Sequence, residues 1–151
     1  MLNDEKYIET ILKLKNQIGV FKGIEDDIIK TLVRDIRFLQ FDMHEQIIQV
    51  GEEENDIFII LEGECRVMID NHKTVGVLKK NQVFGEFSPI TNTPRSATVK
   101  ANKASKILSF RIDFERLNSE INPYAQVYKN FVTELIDKLN LINWEKRKGT
   151  L

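Results

Sequence analysis

The chain is short of cysteine, histidine, basic excess and long apolar runs, and each shortage removes a class of protein. Its one cysteine, Cys65, has no partner for an intrachain disulfide, so no oxidised framework holds the fold. The two histidines, His44 and His72, stand apart in expected turns and cannot supply a cluster of metal ligands. Lys and Arg number 22 against 23 Asp and Glu, a net charge of −1 with a pI near 6.2. That balance argues against a protein that coats nucleic acid. The longest apolar runs, such as residues 57–61, are far too short to span a bilayer. The start, MLNDEKYIET, carries Asp4 and Glu5 and lacks the apolar stretch of a signal peptide. Cytoplasmic residence, with neither membrane nor nucleic acid as partner, is the resulting expectation. No serine, cysteine or paired-carboxylate arrangement suggests catalysis, so an enzyme is not expected.

What is present is the balance of a globular protein: 42% hydrophobic and 30% charged over 151 residues, enough for a proper core. No internal repeat, low-complexity tract or domain-length linker interrupts it, so a single domain over 1–151 is expected. Residues 1–35 read as helical. Ile8, Ile11, Leu12 and Ile18 recur at helical spacing behind a cap at Asn3 or Asp4, and Ile24, Ile28, Ile29 and Leu32 form a second stripe after Gly19. Glu25, Asp26 and Asp27 fall in the first turn of that second helix, where negative charge suits the dipole.

Residues 36–112 are β-rich, with runs at 36–41, 46–50, 57–61, 64–69, 74–78, 96–101 and 106–112. Turn residues separate them at Asp42, Gly51, Gly63, Asp70-Asn71-His72, Lys80-Asn81 and Asn102. Ala97, Val99 and Ala101 alternate with Ser96, Thr98 and Lys100, while Leu108, Phe110 and Ile112 alternate with Ile107, Ser109 and Arg111. Many short strands at this spacing predict a sandwich or jelly-roll barrel. Cys65 is expected to point inward with Val67 and Ile69 as a small core residue.

Residues 113–147 return to helical spacing. Asp113 caps a short helix through Phe114, Leu117 and Ile121, and Asn122-Pro123 supplies a cap and a first helical position for a longer one. Tyr124, Val127, Tyr128, Phe131, Leu135, Leu139 and Ile142 share one face of it, widened by Val132 and Ile136. Core packing accounts for such a stripe, but its width suits a coiled-coil-like homodimer contact or a lid, with Trp144 as a further member. Glu145-Lys146-Arg147-Lys148 reads as a solvated helix end.

The chemistry concentrates in residues 83–101, VFGEFSPITNTPRSATVKA. Eight residues separate Glu86 from Arg95, a gap that a tight turn or short helix can close. Taken alone, the pair reads as a surface salt bridge of little energetic value. Taken together, the segment holds what a cyclic nucleotide needs. Its phosphate suits the donor fork of Arg95 and the Phe87–Ser88 amides at a helix start. Its ribose 2′-hydroxyl suits the Glu86 carboxylate, and Gly85 lets the backbone come close.

The segment resembles the phosphate-binding cassette of the cyclic-nucleotide-binding domains of catabolite-activator-like regulators, cyclic-nucleotide-dependent kinases and gated channels. The matching residues are Phe84-Gly85-Glu86, Ser88, and Arg95-Ser96-Ala97-Thr98-Val99, with DIFIILEG (56–63) similar to the family's strand–glycine hairpin. The resemblance implies an α+β fold: an eight-stranded antiparallel jelly-roll β-barrel with N-terminal helices and a long C-terminal helix. It also implies ligand contacts from Gly85, Glu86, Phe87, Ser88, Arg95, Ser96 and Ala97, with Glu86 on the ribose and Arg95 on the phosphate. Ser96 would meet the phosphate or, in a guanine complex, the base. One departure is Pro89, which has no N–H and forfeits any phosphate contact from that backbone position. Related cupin enzymes need clustered histidines inside the barrel, which this chain lacks.

The expected function is a sensor that binds cAMP, less favourably cGMP, and transmits binding through the C-terminal helix to a homodimer partner or a downstream protein. The ligand is the cyclic nucleotide, and no cofactor or metal is expected. The alternative is a dimerisation or adaptor scaffold with a vestigial pocket. Too few residues follow the long helix for a helix-turn-helix unit, so a stand-alone sensor and a regulatory part of something larger are both consistent with the sequence.

Overall fold

Eight strands form two four-stranded antiparallel sheets, in the orders β1-β8-β3-β6 and β2-β7-β4-β5. They are β1 (Val33–Phe41), β2 (Gln46–Ile48), β3 (Ile57–Glu62), β4 (Glu64–Ile69), β5 (Lys73–Lys79), β6 (Val83–Phe84), β7 (Thr98–Ala101) and β8 (Ser105–Ile112). Helices α1 (Leu2–Leu14) and α2 (Asp26–Leu32), with two 3₁₀ turns at Lys15–Gln17 and Gly19–Phe21 between them, precede the strands. Helix α3 (Phe87–Thr91) interrupts them, and α4 (Phe114–Ser119) and α5 (Ile121–Arg147) follow. This computed structural model describes residues 2–69, 73–119 and 121–147, and within them the side chains of 4–69, 73–117 and 124–139. The Asp70-Asn71-His72 turn and Lys148 lie outside the described residues, and Ile142, Trp144 and the 145–147 helix end are described as backbone only.

In the β1-β8-β3-β6 sheet the central strands β8 and β3 are buried on both faces, which explains the near-continuous apolar run of β3. Ile57 and Ile59 face a core shared with the helices, where Phe21, Leu108, Phe110, Leu117, Val127 and Phe131 pack. Their strand neighbours Phe58 and Ile60 face the other way, into a second core between the sheets with Ile48, Cys65, Leu78, Phe84, Val99 and Ile107. Successive side chains of a strand point to opposite faces, so an alternating strand can serve two cores only if both sets are apolar. Each fully buried large side chain contributes roughly 1.5–3 kcal/mol. The two-sided burial corrects the expected in–out alternation of β8, where Ile107 and even Ser109 are fully buried beside Leu108 and Phe110. In β7, Thr98 is likewise fully buried, and its hydroxyl accepts the Val50 N–H at 3.1 Å.

Other expectations shift by small amounts. β1 begins at Val33, inside the stretch expected to be helical to residue 35. β7 begins at Thr98, so Ser96 and Ala97 belong to the preceding loop. Asp4 lies in the first turn of α1 rather than capping it, since the helix already starts at Leu2. α5 starts at Ile121, ahead of the expected Asn122 cap, and keeps Pro123 in its first turn, where the missing N–H costs nothing. The Asp113 cap is present: its Oδ1 accepts the Arg116 N–H at 3.0 Å. Cys65 points inward as expected and Val67 packs against it, but Ile69 is 44% exposed. The β4–β7 pairing ends at Met68 and Thr98, so Ile69 lies past the last residue paired on that side.

The long helix is fastened at its N-terminal half. Tyr124, Val127 and Phe131 are buried, and the Asn130 amide donates to the carbonyls of Val20 (3.2 Å) and Lys22 (2.9 Å). Past Phe131 the described stripe is only partly covered, with Leu135 half-buried. Val132, Ile136 and Leu139 are each half or more exposed.

Candidate functional site

The site is built where β6 stops. Phe84 ends the strand, Gly85 turns the chain with φ +82°, and Glu86 enters helical backbone as the residue before α3. Asn92 closes α3 in the left-handed region, its N–H returning to the Ser88 carbonyl. Glycine is needed at 85 on two counts. Its φ is one that L side chains rarely adopt, and a Cβ there would stand 2.9 Å from the Asp56 carbonyl oxygen and 3.1 Å from Arg95 Nη1. The N–H groups of Phe87 and Ser88 fall in the first turn of α3, where a helix has no carbonyl of its own to receive them.

Arg95 is the central cation. It is only 4% exposed, and its main chain is pinned by N–H donation to Glu52 O and by acceptance from Gly51 N–H, both at 2.8 Å. Its fork donates Nη1–H to Gly85 O and Nη2–H to Asp56 O, each at 2.6 Å. The guanidinium carbon lies 5.9 Å from the Phe58 ring centroid, and Phe58 stacks on Phe84 at 5.0 Å. Burial lowers the Arg95 pKa, against the opposing pull of Asp56, Glu54, Glu52 and Glu86. A guanidinium nevertheless stays charged in proteins. Among the described ion pairs none includes Arg95, so a buried cation faces neutral acceptors. The Asp56 carboxylate is itself buried and engaged by Arg111 at 3.1 Å and Arg37 at 3.4 Å.

Glu86 overturns the reading as a surface salt bridge to Arg95. It is 2% exposed, and its carboxylate pairs with the Lys138 ammonium from α5. The same ammonium donates to the Val83 carbonyl at 2.7 Å. Glu134, one turn earlier on α5, packs its carboxylate on Gly19. Its carboxyl pKa is raised, chiefly by burial and further by Glu86 and Asp137, with Lys138 opposing.

The remaining expected contacts sort by burial. Ser88 is buried, Gly85 and Ala97 are half-buried, and Phe87 and Ser96 are exposed. All seven lie in the segment between β6 and β7, within which the structure joins Arg95 to Gly85 by a hydrogen bond. It adds two residues that the sequence pattern did not flag for the site: Asp56, through its carbonyl on Arg95, and Lys138. The first sits in the hairpin segment already noted. The second comes from a helix 52 residues on, and no local pattern marks it.

With that geometry in hand, the similarities to known proteins decide the family. The family model described as "Cyclic nucleotide-binding domain" matches residues 38–118, just over half of the chain. The chain belongs to the cyclic nucleotide-binding domain family. Potassium channel KAT1 of Oryza sativa subsp. japonica is 27% identical over 128 residues, covering 83% of this chain and 18% of the channel. Potassium channel AKT2/3 of Arabidopsis thaliana is 25% identical over 121 residues, covering 77% of this chain and 15% of the channel. The chain thus spans less than a fifth of these curated relatives. Among solved structures, a cyclic nucleotide-binding domain from Methylobacillus flagellatus KT matches with a TM-score of 0.74 at 20% identity, over 97% of this chain and 85% of that one. A cAMP-bound PfPKA-R structure matches at 0.70 and 19%, over 92% and 47%. Thermus thermophilus Catabolite Activator Protein matches at 0.64 and 18%, over 87% and 63%. The cyclic nucleotide-binding fold is the jelly roll described above. Among the described residues no helix is long and apolar enough to cross a membrane.

Proposed function

We propose that this domain is a sensor for a cyclic purine nucleotide, cAMP in preference to cGMP, and that it passes binding on through α5. The observation that carries the reading is the buried Arg95 fork, a cation set among neutral carbonyls at 2.6 Å with no carboxylate on it. A buried charge is costly unless paired, and a singly charged ring phosphate supplies the missing anion. The Phe87 and Ser88 amides would complete the cradle, Glu86 would take the ribose hydroxyl, and Ser96 and Ala97 would flank the phosphate. Two solved relatives are described as cAMP-bound, the PfPKA-R structure and the regulatory domain of Toxoplasma gondii PKA, which favours adenine. The Lys138 bonds to Val83 and Glu86 give α5 a direct stake in the cassette. A ligand that favours one position of that helix shifts it by its difference in affinity for the two positions.

Thermal unfolding with increasing cAMP or cGMP tests this reading. Each ligand that binds the native state must raise the melting temperature, by about 2.7 kcal/mol of added stability at a hundred times Kd. A flat melting temperature to millimolar ligand contradicts it. The exposed Val132, Ile136 and Leu139 favour a second use of α5, as a contact between two copies of the chain. Sedimentation of the wild type against a triple serine variant at these positions separates a dimer scaffold from a monomeric sensor.

A further inference from the structure

We propose, resting on the reading of Glu86 as the ribose acceptor, that Lys138 is an internal competitor for that carboxylate. Ligand binding and release of the Lys138 contact from the cassette are then one event. Lys138 sits seven residues past Phe131, the last buried residue of the α5 stripe among the described side chains. Among the described residues of α5 beyond Phe131, the hydrogen bonds that leave the helix are both made by its ammonium, to Val83 O and to Glu86. Both acceptors lie within four residues at the start of the cassette. The apolar side chains around it, Val132, Ile136 and Leu139, are largely exposed and hold little. The ammonium therefore supplies the described hydrogen bonds that tie this half of the helix to the cassette, beside the half-buried Leu135 and the Glu134 carboxylate packed on Gly19.

The same contact closes the carboxylate. The Lys138 side chain is 33% exposed and that of Glu86 only 3%, so the ammonium covers the carboxylate from the solvent side. A hydroxyl that is to donate to Glu86 Oε1 competes with the ammonium already on that oxygen. The displaced ammonium has a second carboxylate on its own helix. Glu134 lies four residues earlier, the favoured order for a Glu–Lys pair, with its carboxylate packed on Gly19 in the present arrangement. Lys138 thus has two carboxylates and one charge to offer. On Glu86 it holds α5 against the cassette; on Glu134 it leaves the cassette open.

The test is calorimetric titration of wild type and Lys138→Met with cAMP and with 2′-deoxy-cAMP. Met keeps the apolar stem and removes only the charge. A hydrogen bond to a charged group contributes on the order of tenfold or more to an equilibrium. Lys138→Met should therefore bind cAMP at least about tenfold more tightly than wild type. Its affinity for 2′-deoxy-cAMP, which has no hydroxyl for Glu86, should change far less. Equal or weaker cAMP binding by the variant, or an equal gain for both ligands, overturns the proposal while leaving the sensor reading standing. Absence of binding by every pairing at millimolar ligand removes the sensor reading and this proposal with it. Amide exchange across residues 132–139 gives a ligand-free check: it should quicken several-fold in Lys138→Met, and unchanged exchange refutes the tie.

Discussion

Replacing Gly85 with alanine isolates the geometry on which the site depends. Two costs add. Alanine at φ +82° is strained by about 1–2 kcal/mol, because the left-handed region brings Cβ against the following carbonyl. The new methyl also meets the Asp56 carbonyl oxygen at 2.9 Å, Phe58 Cδ2 at 3.0 Å and Arg95 Nη1 at 3.1 Å. The nearest of these is backbone in the loop leading into β3, so it cannot swing aside as a flexible side chain would. Overpacking of that kind costs about 1–3 kcal/mol. The sum, about 2–5 kcal/mol, falls as a lower urea midpoint with an unchanged slope, since the folded and unfolded surfaces hardly differ. In thermal terms it is a drop of several degrees for a chain of this size. Nucleotide affinity should fall as well, because relief of the clash moves the Arg95 fork. A variant within 0.5 kcal/mol of wild type by urea denaturation, binding cAMP equally well, would refute the placement of Gly85 against Asp56 and Arg95.

Further expectations follow from titratable groups. The Cys65 thiol is pushed up to about 11, first by burial and then by Glu64, with the Ser105 contact opposing. It should resist alkylation by iodoacetamide at pH 8 until urea unfolds the protein; fast native labelling contradicts its inward placement. Asp113 is held below its ordinary value, chiefly by the Arg116 N–H and further by Arg34, with desolvation opposing. Its stabilisation is therefore present above the unfolded carboxylate value and lost as pH falls through the lower folded one. Asp113→Ala should cost about 1 kcal/mol near neutrality, as lost helix caps do. The gap to wild type should close as the solution is acidified; a gap independent of pH would contradict the charged cap.

How much was legible in the sequence depends on whether the cause is local. β3 and β8 are long enough for their apolar, β-rich runs to show, and Gly63 and Asp113 mark their places by chemistry that acts within a few residues. β6 escaped because two residues have no period; Val83 and Phe84 become a strand only through pairing with Ile59 and Phe58. The apolar count of β8 was visible, but not that a core lies on each side of it, since that depends on where α5 and the second sheet pack. In the site, Gly85, Glu86 and Arg95 were identified as residues, yet their partners were not. Arg95 bonds to main-chain carbonyls, which any sequence supplies, and Glu86 bonds to a lysine brought over by the C-terminal helix. The exposed end of the α5 stripe was also hidden, because helical spacing reports a face and not what covers it.

Titration calorimetry of cAMP into the wild type and into Arg95→Ala, with folding of the variant checked by circular dichroism, tests the central claim most directly. Saturable one-site binding to the wild type, lost in the folded variant, is the predicted result. Equal affinity in the two proteins, or no heat from the wild type at millimolar ligand, would contradict the assignment of Arg95 as the phosphate-binding cation.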